Sequence, residues 1–201
     1  MLPTIDFIYL ASTSPRRRQL LEQIGVRHEL LVADADEDAE ALEATRPGEL
    51  PAAYVQRVTL AKLRAARERL ARRGWKIAPI LCADTTVALG RRILGKPADP
   101  ADAVLMLTQL AGHSHRVISG VALFEGRRTT SRLNISRVRF TSISLAEIEA
   151  YVASGVPFGK AGAYAIQSEA ARWIEHIEGS YSAVMGLPLC ETAQLLKRLR
   201  T

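Results

Sequence analysis

Asp84 is the residue whose setting most directly suggests chemistry. It follows Ile80-Leu81-Cys82-Ala83, an apolar run that reads as a buried strand, and opens the segment Asp84-Thr85-Thr86 at that strand's carboxyl end. Ligands of α/β proteins commonly bind outside the carboxyl ends of strands. An ionised carboxylate in such a place needs a cation, a metal or a catalytic task. A turn or capping aspartate is the plainer reading of the same residue. Asp36 and Glu37 stand close behind an earlier strand-like run. They could add hard oxygen ligands for Mg²⁺, which takes one or two carboxylates together with substrate phosphates. The other acids of that stretch, Asp38, Glu40 and Glu43, read as a solvated loop.

The cations form a second set. Ser12-Thr13-Ser14-Pro15-Arg16-Arg17-Arg18 lies between the apolar run Phe7–Ala11 and a helix marked by Leu20, Leu21 and Ile24 and closed by Gly25. Ser14 suits the N-cap and Pro15 the first helical position. Three arginines crowd the first turn, where the helix already presents free N–H groups and positive partial charge. Such a cluster asks for an anion, and phosphate is the natural one. Arg17 shares the wheel face of Leu20, Leu21 and Ile24, so it points inward and fits either an internal ion pair or a phosphate contact. Lys96 sits in Leu94-Gly95-Lys96-Pro97, where glycine and proline fix the backbone around one cation. Lys62 lies among Leu60, Ala61 and Leu63 and reads as a lysine laying its stem on the core. His113 reads as exposed and His115 as structural, and neither has metal-ligand spacing.

These residues need a scaffold. The sequence predicts strand 6–11, helix 15–24, strand 28–33, an acidic loop over 34–43 and a helix near 48–73. Strands at 78–83, 86–89 and 93–94 follow, then helix 100–111 and two strands, 114–125 and 128–142, joined at Glu125-Gly126-Arg127. Ser144 and Glu147 mark a capping box for helix 145–153; a strand near 171–177 and a helix at 188–199 close the chain. Early alternation of helices and strands with a long central hairpin argues a mixed-sheet α/β domain. The chain's 201 residues suit one sizeable core.

The net charge of +6 could serve nucleic acid, a phosphorylated substrate or solubility alone. Aromatic content of 5% and the lack of a recognition motif weigh against nucleic acid. Cys82 and Cys190 are far apart in apolar settings and read as buried thiols. No leader-like or membrane-length apolar run is visible, which points to a cytoplasmic protein.

Taken together, these segments resemble the Maf family of nucleoside triphosphate pyrophosphatases, once described as septum-formation inhibitors. The resemblance runs through Leu10–Leu21 with its Ser12-Thr13-Ser14-Pro15-Arg16-Arg17-Arg18 core, Asp36-Glu37, Lys62, Ala83-Asp84-Thr85, Ile93–Pro97 with Asp99, and Leu110–Gly112. It continues through Tyr151–Ala153, Lys160–Gln167, Ile177–Tyr181 and Val184–Pro188. It implies one elongated α/β domain over residues 1–201, with a mixed sheet and a central cleft, similar to inosine-triphosphate pyrophosphatases. The implied reaction is hydrolysis of a nucleoside triphosphate to the monophosphate and pyrophosphate with a divalent metal, Mg²⁺ or Mn²⁺. Asp84 would accept a proton from the attacking water. Glu37 and Asp84 would hold the metal, and Ser12, Arg16, Arg17, Lys62 and Lys96 would surround the triphosphate.

Arg16, Thr85 and Gln167 fall where the resemblance places substrate choice, and Arg16 and the Ala161–Gln167 run look like the dTTP/UTP branch. One amide such as Gln167 can both donate to and accept from the edge shared by uracil and thymine. A 7-methyl-GTP pyrophosphatase, a non-catalytic cell-division regulator and a nucleic-acid binder remain as alternatives, and a homodimer is open. Ser168 departs from the usual glycine after the glutamine and could alter base fit; Thr59 replaces a usual alanine and should be tolerated.

Overall fold

The computed structural model describes residues 6–38 and 40–199. Among these residues seven strands and six α-helices form a mixed α/β fold. The strands are β1 (Ile8–Leu10), β2 (His28–Leu30), β3 (Ile80–Leu89), β4 (Arg92–Leu94), β5 (Ser114–Glu125), β6 (Arg128–Phe140) and β7 (Ile174–Glu178). They make one sheet in the order β2-β1-β3-β5-β6-β7, with β4 paired to β3. β1 runs parallel to β2 and β3, whereas β4 on β3 and β7 on β6 are antiparallel. The helices are α1 (Pro15–Gln23), α2 (Pro51–Arg73), α3 (Pro100–Leu110), α4 (Leu145–Ala153), α5 (Tyr181–Met185) and α6 (Leu189–Leu196). Among the described residues no helix is long and apolar enough to cross a membrane.

The chain divides into two compact units. The first draws on Met1–Asp84, Ser119–Asn134 and Gly186–Thr201; the second on Thr85–Ile118 and Ile135–Met185. In the first unit α2 lays Leu63, Ala66 and Leu70 against Tyr9, Leu31, Ile80, Cys82 and Ala122. In the second, α3 and α4 bury Leu107, Leu110, Ile148 and Tyr151 with Val138, Phe140, Tyr164 and Trp173.

Several local expectations change. β3 is not broken at Asp84: the β-branched Thr85, Thr86 and Val87 keep the chain extended through it, so Asp84 stands mid-strand rather than at a strand end. α2 begins at Pro51 rather than near residue 48, because a proline fits the first helical position and Leu50 before it stays extended. β2 is three residues long, and the short helix α5 carries no signal noted above. Ser14 occupies the N-cap of α1 without a side-chain capping bond; the Ser12 hydroxyl instead accepts from the Ser14 N–H at 3.2 Å. Cys190 is exposed, not buried, and both thiols are free.

Thr59 is accommodated by two local features. Its hydroxyl donates to the Val55 carbonyl one turn back at 2.7 Å, and Gly120 of β5 leaves the space it needs. A Cβ on Gly120 would stand 2.5 Å from Thr59 Oγ1.

Candidate functional site

Within the first unit, α2 presents Lys62, Ala66, Arg69 and Arg73 along one stripe, at steps of four, three and four residues. The acidic segment after β2 lies against this stripe and gives it two kinds of partner.

Near the C-terminal end of α2 the acids are locked. Arg69, 5% exposed, forks Glu37 with Nε and NH2 at 2.8 and 2.6 Å while NH1 donates to the Leu31 carbonyl at 2.8 Å. Arg72 reaches the same carboxylate at 2.7 Å. Arg73 pairs with Asp34 and donates to the Val32 carbonyl at 3.0 Å. The bond from Arg69 is the largest influence holding the Glu37 carboxyl down to about 2.

Further toward the N-terminus of α2, Lys62 is shared. Its Nζ lies 2.5 Å from Asp84 Oδ1 and 2.8 Å from Glu43 Oε1. Asp84 is 6% exposed. Glu43 is therefore not the solvated acid expected of it. Tyr54 Oη donates to the Glu43 carbonyl at 2.9 Å, and Arg57 donates to the Ala44 carbonyl at 2.8 Å while Glu49 holds it at 2.6 and 2.7 Å. Burial, then the charges of Asp84 and Glu43, push the Tyr54 phenol up to about 12.

Arg17 bears on the same carboxylates. Its Nε donates to the Gly186 carbonyl at 2.9 Å and NH1 to the Ser12 hydroxyl at 3.2 Å. Burial pushes its guanidinium below the ordinary value, and the charges of Asp84 and Glu43 are among the influences opposing that shift. The inward face expected for Arg17 is thus used for backbone and hydroxyl contacts rather than for a direct ion pair. Arg16 is half-buried and Arg18 exposed on the same turn.

The remaining expected residues belong to the second unit. Thr85 follows Asp84 on β3 and is half-buried; Lys96 and Gln167 are exposed. The Gly162 N–H donates to the Gly95 carbonyl at 2.9 Å, which stitches the turn before Gln167 to the loop that carries Lys96. Gly162 has φ +67° and a Cβ there would come within 2.8 Å of Val87, so only glycine fits. Ser168 has φ −98°, a backbone that does not require glycine. Its hydroxyl donates to the Ala165 carbonyl at 2.7 Å and lies 2.9 Å from the Tyr151 hydroxyl.

His115 is structural, as its sequence suggested. It is buried against Phe140 and Tyr164, with Nε2 2.8 Å from the Tyr164 hydroxyl, and burial lowers its imidazole to about 4.

Among the described residues no group of three or more His, Cys, Asp and Glu side chains is placed to hold a metal. A hard divalent cation completed by substrate phosphates needs fewer protein ligands. Asp84 offers such a cation a hard carboxylate held by one ammonium, Lys62 on its Oδ1, rather than by guanidinium forks. Glu37 offers hard oxygens too, but two guanidinium groups hold them, so it would serve a metal only by exchange with Arg72, the more exposed of the two.

The sequence matches the family described as Maf-like protein over residues 7–199. The chain belongs to the Maf family. It is similar to the dTTP/UTP pyrophosphatase of Albidiferax ferrireducens, with 62% identity over 192 residues covering 96% of each chain. The protein of the same description from Polaromonas sp. is 60% identical over 98% of this chain and 97% of that one. The one from Burkholderia pseudomallei is 55% identical over 97% and 94%. A nucleoside-triphosphatase / dITP/XTP pyrophosphatase of Mycobacterium abscessus overlays on 68% of this chain and 75% of its own with a TM-score of 0.41 and 17% identity, a likeness too loose to bear on fold or function.

Proposed function

We propose that this Maf-family chain hydrolyses dTTP and UTP to the monophosphate and pyrophosphate, with a divalent cation. The observation that carries the reading is the buried Asp84 paired at 2.5 Å with Lys62. A carboxylate beside cations is what in-line substitution at phosphorus requires: a proton acceptor for water, and positive charge for the phosphates. Relatives at 55–62% identity that carry the name dTTP/UTP pyrophosphatase support the substrate.

In this reading Asp84 takes a proton from the water that attacks the α-phosphorus. The bond to the bridging oxygen breaks and pyrophosphate leaves. Ser12, Arg16, Arg17, Lys62 and Lys96 bind the phosphates, and Thr85 and Gln167 contact the nucleoside. A bound Mg²⁺ or Mn²⁺ would add charge neutralisation at the phosphates and is assigned to Asp84, with Glu37 joining by arginine exchange. The test is incubation with dTTP, UTP, 7-methyl-GTP and the purine triphosphates with either metal, products identified. Pyrophosphate with dTMP or UMP is expected; orthophosphate as first product would overturn the mechanism, and a preference for 7-methyl-GTP the substrate.

A further inference from the structure

Glu43 takes no part in the reaction just described, yet the structure builds it with care. It ends the short turn Ala41–Glu43, just after Asp36, Asp38 and Glu40, which are exposed. The carbonyls of Leu42, Glu43 and Ala44 are each taken by a side chain of α2: Arg57 at 3.5 Å, Tyr54 at 2.9 Å and Arg57 again at 2.8 Å. Arg57 is itself held by the two oxygens of Glu49. Fixing three consecutive carbonyls costs backbone freedom, and the outcome is a second carboxylate on the Lys62 ammonium that Asp84 also accepts from.

We propose that Glu43 is a positioning residue that holds the Lys62 ammonium at Asp84 and competes with the substrate's phosphates for it. The proposal rests on the functional reading above. With the site empty, Lys62 would otherwise be a flexible chain with one partner; two carboxylates fix it between them. When a triphosphate arrives, its oxygens and Glu43 want the same three donors of one ammonium. Glu43 therefore raises the KM for triphosphate and secures the alignment on which kcat depends. Removing its charge relaxes both at once.

Two measurements decide this. Steady-state kinetics with dTTP should show that Glu43→Gln lowers KM about threefold and kcat about tenfold, the size of one partly exposed charge contact acting on each. Glu40→Gln removes the same charge three residues away and should change neither. Glu43→Asp, one methylene short, should recover part of the lost kcat. A lost fold would reduce the active fraction at constant KM. An unchanged or raised KM, or an equal effect from Glu40→Gln, overturns the proposal.

The second measurement needs no substrate. In the ligand-free protein the Lys62 ammonium should give a resolved ¹H–¹⁵N signal, because ion pairing slows its exchange, and Glu43→Ala should broaden it away. A signal indifferent to Glu43 overturns the proposal. If the wild-type protein releases no pyrophosphate while Glu43 still controls that signal, it is the functional reading that has failed.

Discussion

Glu37 and Asp84 are both carboxylates set against cations of α2, yet they are held in opposite ways. Glu37 is gripped by two guanidinium groups: buried Arg69 forks both of its oxygens, and Arg72 reaches one of them. Asp84 faces a single ammonium on a flexible stem, which Glu43 also claims. Bidentate arginine pairs are geometrically fixed, whereas lysine is a point charge that can turn to another acceptor. The difference separates a joint that fastens the segment after β2 from a contact that a phosphate can enter.

The sharpest way to break the comparison is Asp84→Asn. It should cut dTTP turnover by about 10³-fold, the scale of a lost general base, with circular dichroism and the unfolding midpoint close to wild type. Retained turnover would remove Asp84 from the chemistry. Next is a pair of alanine variants. Glu37→Ala strands a buried guanidinium and should cost about 3 kcal/mol in urea unfolding, while Glu43→Ala should cost under about 1 kcal/mol. Equal costs would erase the distinction between joint and contact.

pH offers a finer division. Glu37 has its folded value lowered to about 2 from an ordinary 4.5, so its contribution to stability is whole above pH 4.5 and is lost as pH falls toward 2. His115 is lowered to about 4 from 6.5, so the unfolded chain binds the proton first and stability falls as pH drops from 6.5 toward 4. Unfolding midpoints across both windows should show two declines. Glu37→Gln should flatten the lower and His115→Phe the upper; a lower decline untouched in Glu37→Gln would deny the arginine grip. Away from both carboxylates, Ser168→Gly should cost about 1 kcal/mol from the lost hydroxyl bonds, read by thermal unfolding.

Much of this was legible in the sequence because it is local. The placing of α1 after β1, the capping box of α4 and the Gly126 turn between β5 and β6 follow from neighbouring residues. The joining of Lys62 to Asp84 was not local. Neither was the bond from Arg17 to Gly186, 169 positions on. Glu43 was hidden among acids of the same type, since what singles it out is the hold of Tyr54 on its carbonyl and of Arg57 on the carbonyls either side. A signal existed in α2 all the same: cations at 62, 69 and 73 share a face, and an acidic run precedes the helix. The same stripe marks Arg69 as inward-facing, and a buried arginine demands a carboxylate.

The two free thiols give the molecule its own clock. Cys190 stands at the surface, while Cys82 is sealed in β3 two residues before Asp84, with burial pushing its thiol up to about 12. A thiol reagent therefore meets one sulfur at once and the other only when that strand comes loose. The slow fraction of the labelling times the opening of the strand that carries the proposed base.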